Sequence, residues 1–240
     1  MIDSEALKIG KRELSGAPVA ASAKPPVAGN VIKGASVEMH PINVAEQAAS
    51  LFDLSHSTEK GYKIWDYLAY GPFENREDFD IWLQQQAESK DPLFYTIYDK
   101  ANDYFVGVAS YLRIDPANAS IEIGHIWFTP VLQNTRQSTE ALFLLMRHAF
   151  DDLGYRRLEW KCNALNQKSR NAARRLGFTF EGLFYRCMIV KGCNRDTAWY
   201  SIIDSEWLAI RDNFDSWLAD ENFDDSGTQK TSLSQLNNLQ

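Results

Sequence analysis

Residues 121–140 read IEIGHIWFTPVLQNTRQSTE. The first eight residues are mostly aliphatic or aromatic and end before Pro130, which is typical of a buried strand. A polar loop follows, and then a long helical stripe begins at Ala141 and ends at Gly154. The first N–H groups of such a helix lack internal partners and lie at the positive end of its dipole. The stretch therefore predicts an anion site, to which Arg136 adds a full positive charge.

Shorter elements surround this stretch on both sides. Alternation predicts the strands, and apolar residues three and four apart predict the helices. The predicted strands are Val37–His40, Leu93–Tyr98, Tyr104–Leu112, Arg157–Cys162, Phe178–Val190 and Arg195–Ile203, and the predicted helices are Ala45–Leu54, Glu74–Ser89, Asn166–Leu176 and Glu206–Leu218. Antiparallel strands followed by alternating strands and helices predict an α+β fold, a mixed sheet covered by helices.

A second segment with chemical interest is residues 163–178, which read NALNQKSRNAARRLGF. Lys168, Arg170, Arg174 and Arg175 place four positive charges within eight residues of an otherwise acidic chain. Asn166 is a suitable N-cap for the helix that carries them. A solvated helix face and a phosphate-binding surface both fit this pattern, and the residues alone leave the two alternatives open.

Length and composition fit one domain with extensions. The chain has 240 residues, of which 45% are hydrophobic and 24% are charged, as in ordinary globular proteins. Residues 15–36 are rich in Ala, Pro, Ser and Gly, and the C-terminal end is rich in Ser, Thr, Gln and Asn. We therefore expect a loosely structured N-terminal arm at 1–36, a domain at 37–220 and a flexible acidic and polar tail at 221–240.

The charge and the cysteines limit the partners and the compartment. A net charge of −7 argues against general nucleic-acid binding, which needs clustered basic residues. The sequence contains neither a long apolar segment nor a secretory signal, so we expect no membrane association and a cytoplasmic location. Its three cysteines lack C-x-x-C spacing, which favours a reducing compartment and argues against a metal site.

Several motifs along the chain match one superfamily in order and spacing. They are Glu122-Ile123-Gly124-His125, Gln133 through Ala141, His148-Ala149-Phe150, Gly154-Tyr155-Arg156-Arg157, Asn166-x-x-Ser169-Arg170, Leu176-Gly177-Phe178 and Glu181-Gly182. From about Val37 to Trp207 the sequence resembles the GNAT superfamily of acyl-CoA-dependent N-acyltransferases. Within it, the branch around the ribosomal-protein acetyltransferases RimJ and RimL is the most similar.

The resemblance implies a fold and a co-substrate. The fold is a central, mostly antiparallel twisted sheet in which two parallel strands, Ile121–Phe128 and Leu158–Cys162, splay apart to admit acetyl-CoA. The pyrophosphate would bind the loop of Gln133, Asn134, Thr135, Arg136, Gln137, Ser138 and Thr139. By similarity Asn166 would bind the CoA arm, and Ser169 would protonate the leaving thiolate. The charge cluster adds Arg170 or Arg174 as phosphate ligands. No metal is expected.

The loop departs from the family pattern at two positions. The family has small residues, usually glycine, where this chain has Arg136 and Ser138, because a missing Cβ lets backbone approach the pyrophosphate. Arg136 either pairs with phosphate or blocks the loop. Asn134 tolerates a positive φ and could supply part of the lost flexibility.

Transfer to an amine needs a base, an oxyanion donor and an acceptor site. Glu122 and His125 are three residues apart on the central strand, so alternation predicts opposite faces. We prefer Glu122 as the base, because related enzymes often have an acidic residue there; His125 is either a second base or a core residue. Main-chain N–H groups around Trp127 and Phe128 are the expected oxyanion donors.

The sequence says less about the acceptor substrate and about the oligomeric state. Trp65, Asp66 and Tyr70 lie where related enzymes have acceptor-binding loops, although ordinary packing also explains such aromatics. The expected activity is acetyl transfer to a primary amine, either a protein N-terminus or a small amine. The alternative is a catalytically weak GNAT-shaped binding module with an impaired CoA loop. Trp207 and Trp217 belong to the core or to an oligomer patch, so a homodimer is also open.

Overall fold

The computed structural model describes Arg12, residues 15–20 and residues 23–237. Contacts between residues divide the chain into a larger unit, Ala23–Leu158, and a smaller unit, Met1–Ser22 with Glu159–Gln240. We describe each unit by itself. Within the described residues, no helix has the length and apolar character needed to cross a bilayer.

The larger unit contains five antiparallel strands in the order β1-β2-β3-β4-β5. They are β1 (Ile32–Lys33), β2 (Val37–Pro41), β3 (Leu93–Asp99), β4 (Tyr104–Asp115) and β5 (Ser120–Phe128). The predicted hairpin between β3 and β4 is confirmed. Its turn is closed by the Asp103 amide, which donates to the Asp99 carbonyl at 2.9 Å, while the Asp99 side chain accepts from the Ala101 amide at 3.0 Å.

Helices cover both faces of these strands. The helices are α1 (Val44–His56), α2 (Glu59–Tyr62), a 3-10 turn (Lys63–Tyr67), α3 (Arg76–Glu88) and α4 (Arg136–Arg147), which continues into a π-helical turn (His148–Asp152). On one face, α1 and α3 bury Leu51, Phe79 and Trp82 in a cluster with Phe94 of β3. On the other face, the Tyr111 hydroxyl of β4 donates a hydrogen bond to the Leu145 carbonyl of α4.

The start of α4 and the end of its π-helical turn agree with the sequence. Thr135 is the N-cap, and its side chain accepts from the Ser138 amide. Gly154, the predicted stop, follows the π-helical turn with a φ of 75°. A positive φ is easy for glycine because it has no Cβ. The apolar stripe that predicts this helix is buried from Ala141 to Met146.

Besides a 3-10 turn at Asp220–Asn222, the described residues of the smaller unit form three strands and three α-helices. They are β6 (Arg157–Asn163), which begins two residues before the boundary, α5 (Gln167–Arg175), β7 (Thr179–Val190), β8 (Cys193–Ile203), α6 (Asp204–Leu218) and α7 (Leu233–Leu236). The strand order is β6-β8-β7, and β7 and β8 form the predicted antiparallel pair. Helix α6 buries Trp207, Ile210, Phe214 and Trp217, the stripe that its spacing predicts.

Both predicted tails contain regular structure where they are described. At the N-terminal side, Ile32–Lys33 forms β1 on the edge of β2, within the segment that we expect to be loose. At the C-terminal side, Leu233–Leu236 is helical and Leu233 is buried. The Asn222 side chain also donates to the Thr231 carbonyl at 3.1 Å. Residues 1–11, 13–14, 21–22 and 238–240 of these predicted tails lie outside the described residues.

Candidate functional site

Strand β5 contains a β-bulge at His125. The register of β4 against β5 shifts between Val108, which pairs with Trp127, and Ser110, which pairs with Gly124. Two residues of β5 therefore lie opposite one residue of β4, and His125 has a φ of 50°. An extra residue on one strand interrupts the regular alternation of its side chains.

The bulge puts Glu122 and His125 on the same face of the sheet. Directly opposite residues of an antiparallel pair share a face. Glu122 lies opposite Leu112 of β4, and Ser110, two residues from Leu112 on the same face, lies opposite Phe94 of β3. Glu122 and Phe94 are therefore on one face of the sheet. The His125 ring lies on that same face, with its centroid 5.0 Å from the ring of Phe94. The prediction of opposite faces is therefore wrong, because it assumes an unbroken alternation that the bulge interrupts.

His125 is half-buried and lies against Tyr70. The two rings are stacked, with centroids 5.7 Å apart and planes at 13°. The Nδ1 atom of His125 is 3.3 Å from the hydroxyl oxygen of Tyr70. Burial raises the pKa of Tyr70 well above its ordinary value of 10.0, so the phenol stays protonated. The pair is a neutral phenol and an imidazole at the face covered by α1 and α3.

Glu122 is more enclosed than His125. Its side chain is only 4% exposed, and its Oε2 atom accepts a hydrogen bond from Nη1 of Arg113 at 2.6 Å. Arg113 is half-exposed and has a positive φ of 49° near the end of β4. The carboxylate that the sequence favours as a base is therefore paired with a cation that the sequence did not single out.

The three predicted acceptor residues have different surroundings. Trp65 is fully buried, with its ring centroid 5.0 Å from that of Trp127. Asp66 is exposed on the 3-10 turn, and Tyr70 is half-buried beside His125. Tyr70 lies in contact with a candidate catalytic residue, His125. Trp65 belongs to the aromatic core, since a side chain without exposed surface cannot touch an acceptor.

The loop before α4 is closed by its own polar side chains. The side-chain amide of Gln133 donates to the Phe128 carbonyl at 2.9 Å, and the Thr135 hydroxyl donates to the Leu132 carbonyl at 2.7 Å. Asn134 adopts the positive φ that its side chain tolerates, 62°. The loop therefore presents the N-terminus of a twelve-residue helix in a fixed turn.

The first turn of α4 contains the two departures from the family's small residues. Arg136 is the first helical residue and is half-buried, as is Gln137. Ser138 and Thr139 are buried, and the Ser138 hydroxyl donates back to the Thr135 carbonyl at 2.7 Å. Because the Ser138 side chain hydrogen-bonds to its own helical turn, its Cβ needs no space outside that turn. A helix N-terminus with an arginine at its first position fits an anionic group such as a pyrophosphate.

In the smaller unit, Asn166 and Ser169 form the start of α5. The Asn166 side chain accepts from the Ser169 amide at 3.1 Å, which is the predicted cap. The Ser169 hydroxyl oxygen accepts a hydrogen bond from the Trp160 indole at 3.0 Å. Burial raises the pKa of the neighbouring Cys162 thiol, and a hydrogen bond with Ser169 partly offsets this.

Arg170 is held against its own loop. Its Nη1 and Nη2 atoms donate to the Ala164 carbonyl and to the Gln167 side chain, both at 2.9 Å. Arg174, the other candidate from the basic cluster, is exposed on α5. The guanidinium of Arg170 therefore stabilises the turn between β6 and α5, a role that the charge pattern alone did not indicate.

Comparison with known proteins identifies the family. The family model described as "Acetyltransferase (GNAT) domain" matches residues 38–179. The ribosomal-protein-serine acetyltransferase of Escherichia coli is 33% identical over 128 residues, which are 53% of this chain and 68% of that protein. The chain belongs to the GNAT acetyltransferase family. This GNAT chain is accordingly an acyltransferase.

Solved structures agree with this family. A GCN5-related N-acetyltransferase from Brucella melitensis has a TM-score of 0.88 and 42% identity, and the match covers 92% of this chain and 99% of that one. The microcin C7 self-immunity acetyltransferase MccE, solved with acetyl-CoA and AMP, has a TM-score of 0.61 and 27% identity over 72% of this chain and 94% of that one. The predicted fold class, a GNAT-type mixed α+β sheet flanked by helices, is confirmed.

Sequence reasoning missed three features of this GNAT site. The bulge at His125, the ion pair of Arg113 with Glu122 and the burial of Trp65 all depend on strand register or on tertiary packing. The positive φ at His125 has no sequence signal, since it belongs to a bulge that depends on the pairing of β5 with β4. The Arg113 pair could have been suggested only by the strand pairing that brings residues nine apart together.

Proposed function

We propose that the protein transfers an acetyl group from acetyl-CoA directly to a primary amine in a ternary complex. A protein N-terminus is the leading acceptor class, because the relative from Escherichia coli is named for a ribosomal protein. An α-amine has a pKa of about 7.7–8.0, so a useful fraction is neutral at physiological pH. A small amine is the alternative acceptor. The relatives are named as acetyltransferases, which does not favour the binding-module alternative.

Acetyl-CoA supplies an activated acetyl thioester when bound. In the larger unit, we propose that the turn from Gln133 to Thr139 and the N-terminus of α4 hold its pyrophosphate, with Arg136 as an added cation. Arg136 at the first position of α4 supports this role, since a helix N-terminus and a cation both favour an anionic group. In the smaller unit, we propose the family's CoA-arm role for Asn166.

We propose His125 as the base that takes the proton of the amine. If Nδ1–H donates to the Tyr70 oxygen, Nε2 keeps a lone pair for that proton. Glu122 is an alternative base that would have to act through water, because Arg113 already binds its carboxylate. The oxyanion would be stabilised by main-chain N–H groups near Trp127 and Phe128.

Ser169 is the proposed proton donor to the CoA thiolate. Its hydroxyl oxygen accepts from the Trp160 indole, so its proton would turn from the Cys162 sulfur to the CoA thiolate. As the amine attacks the acetyl carbon, the C–S bond breaks and the thiolate takes the serine proton. The serine then regains a proton from solvent, and the base releases the amine proton.

The observation that carries this proposal is the bulge that places His125 beside Tyr70 on the face shared with Glu122. The test is release of free CoA thiol with peptides that have a free or a blocked N-terminus, and with a panel of small amines. We expect release with free amines only. His125→Gln should lower kcat by about a hundredfold or more, the usual size of general-base effects.

A matched control is His148→Gln, a histidine that pairs with Asp152 at the end of α4 and that we place outside the reaction. It should leave kcat within about twofold. Absence of CoA release with every amine, or equal effects of the two histidine substitutions, would contradict the proposed function.

A further inference from the structure

A second histidine, His56, lies behind the loop that carries Tyr70. It is the last residue of α1 and is 9% exposed. Its ring stacks on Phe52 with centroids 4.3 Å apart and lies 5.3 Å from the ring of Trp65. A titratable group is thus buried among aromatic side chains, and the proposed acetyl transfer makes no direct use of it.

The hydrogen bonds of His56 define its protonation state. Nε2 is 3.1 Å from the Phe73 backbone N–H, which can only donate, so Nε2 must accept. Nδ1 is 2.8 Å from the Ser55 hydroxyl and 3.2 Å from the Phe52 carbonyl, which suits a donated proton. His56 is therefore neutral, with its proton on Nδ1. A protonated ring would point an N–H at the Phe73 N–H and lose this hydrogen bond.

The loop that His56 holds is pressed against Trp65. Gly71 has a φ of 60°, and a Cβ atom at this position would lie 2.5 Å from Cε3 of Trp65. Phe73 follows two residues later and packs on Trp65 with centroids 5.5 Å apart. Tyr70 precedes Gly71 and reaches the His125 imidazole. The loop is therefore fixed at Phe73 by His56, at Gly71 by Trp65 and at Tyr70 by His125.

We propose that His56 is a positioning residue for the acceptor side of the site: in its neutral form it holds the Tyr70–Phe73 loop so that Tyr70, a predicted acceptor contact, stays in place beside the His125 ring. This inference rests on the proposed role of His125 as the base. His56 would then affect the reaction without touching the substrate or the reacting atoms. Protonation of His56 would weaken acceptor binding.

The surroundings of His56 are consistent with a neutral ring near pH 7. A cleft of about 350 Å³ beside it is lined by Phe52, Asp53, Ser57, Tyr62 and Glu74. Burial lowers the pKa of His56 from its ordinary value of 6.5, and the hydrogen bond with Phe52 partly offsets this. The acidic residues that line this cleft are Asp53 and Glu74, and the ring of Tyr62 lies 5.5 Å from that of His56.

The first test compares two substitutions of different hydrogen-bonding ability. In His56→Gln the side-chain oxygen can accept from the Phe73 N–H, whereas in His56→Leu it cannot. We expect the leucine variant to raise the acceptor KM about three- to tenfold, the range for one lost hydrogen bond. The glutamine variant should stay within about twofold of the parent, and the KM for acetyl-CoA should stay unchanged in both.

The second test uses pH. Below pH 6.5 the parent protein takes up a proton on His56 and should show a rising acceptor KM, whereas the glutamine variant has no such proton. The ratio of the two KM values cancels protonation of the acceptor amine itself. We expect this ratio to be flat above pH 6.5 and to rise as the pH falls. A ratio that stays constant down to the lowest pH at which both proteins stay folded would contradict the titration.

A third measurement does not depend on activity. Hydrogen exchange of the Phe73 amide and the NMR resonances of the His125 ring report the loop and the pair directly. We expect faster exchange and a shifted His125 resonance in His56→Leu, and neither change in His56→Gln. If the folded leucine variant leaves both signals unchanged, the positioning role is wrong. If these signals change but no amine is acetylated by the parent protein, the proposed function fails while the structural role stands.

Discussion

At the residue scale, backbone geometry decides the chemistry open to His125. In a regular strand its side chain would face away from Glu122, and it would be one more histidine inside the protein. The bulge turns it onto the face of Phe94 and Tyr70, where its ring is half-buried and bonded to a phenol. Glu122, which the sequence favours as the base, is instead enclosed and paired with Arg113. The sequence identifies Glu122 and His125 as candidate bases, and the local geometry favours His125.

Arg136 is the residue for which the sequence leaves two opposite expectations. As the first residue of α4 it adds a cation to a helix N-terminus that already favours anions. We expect Arg136→Ala to weaken acetyl-CoA binding about tenfold, because a charged hydrogen bond to phosphate contributes about 1.5–3 kcal/mol at most. Calorimetric titration measures this, and the loss should shrink as salt is raised.

Arg147→Ala is the matched control, because it removes the same charge from the last turn of the same helix. It should leave acetyl-CoA affinity within about twofold. Tighter binding after Arg136→Ala would mean that the arginine blocks the turn, the other alternative that the sequence leaves open.

At the element scale, the sequence predicts what depends on local periodicity and on capping. Helices α3, α5 and α6 are found within two residues of their expected bounds, because α3 and α6 each bury one stripe of side chains and α5 begins at its Asn166 cap. The bulge in β5 is not predictable in this way. With one extra residue, the β5 sequence is still apolar and aromatic, so it still predicts a strand. The register depends on how β5 pairs with β4, and the sequence of β5 alone does not specify that pairing.

The cap of α5 allows two roles of Asn166 to be separated. Asn166→Ala removes the hydrogen bond to the Ser169 amide and should lower the free energy of unfolding by about 1 kcal/mol. For a chain of this size that is a fall of about 2–4 °C in Tm. Asn166→Ser keeps a capping oxygen and should restore most of that Tm.

If Asn166 also binds the CoA arm through its amide, serine should not restore acetyl-CoA affinity, since its shorter side chain lacks the amide group. The two substitutions are therefore compared by thermal unfolding and by calorimetry on the same samples. Equal loss of Tm in both variants would argue against the capping role, and full affinity in the serine variant would argue against the CoA-arm role.

At the scale of the whole molecule, pairings between distant residues mark the limit of what the sequence predicts. The composition predicts a loosely structured arm over the first 36 residues, yet Arg12 lies within the smaller unit at a specific place. Its guanidinium donates to Glu206 of α6 at 2.6 and 2.8 Å, to Glu181 of β7 at 2.8 Å and to the Ser201 carbonyl of β8 at 2.9 Å. A contact between residues 194 apart depends on the folded topology and has no periodic signal.

This arginine should therefore contribute to stability although it lies in the predicted N-terminal arm. It is 17% exposed and joins three elements, so Arg12→Ala leaves two carboxylates close together without their shared cation. We expect a fall of about 1–3 kcal/mol in the free energy of unfolding, measured by urea titration. Arg12→Lys should recover only part of this, because an ammonium cannot reproduce the planar, forked contacts of a guanidinium. Lys24→Ala, which keeps its backbone hydrogen bond to Leu153, is the control for loss of one positive charge from the same arm. If Arg12→Ala and Lys24→Ala unfold at the same urea concentration as the parent protein, the arm is dispensable for stability, as its composition alone would suggest.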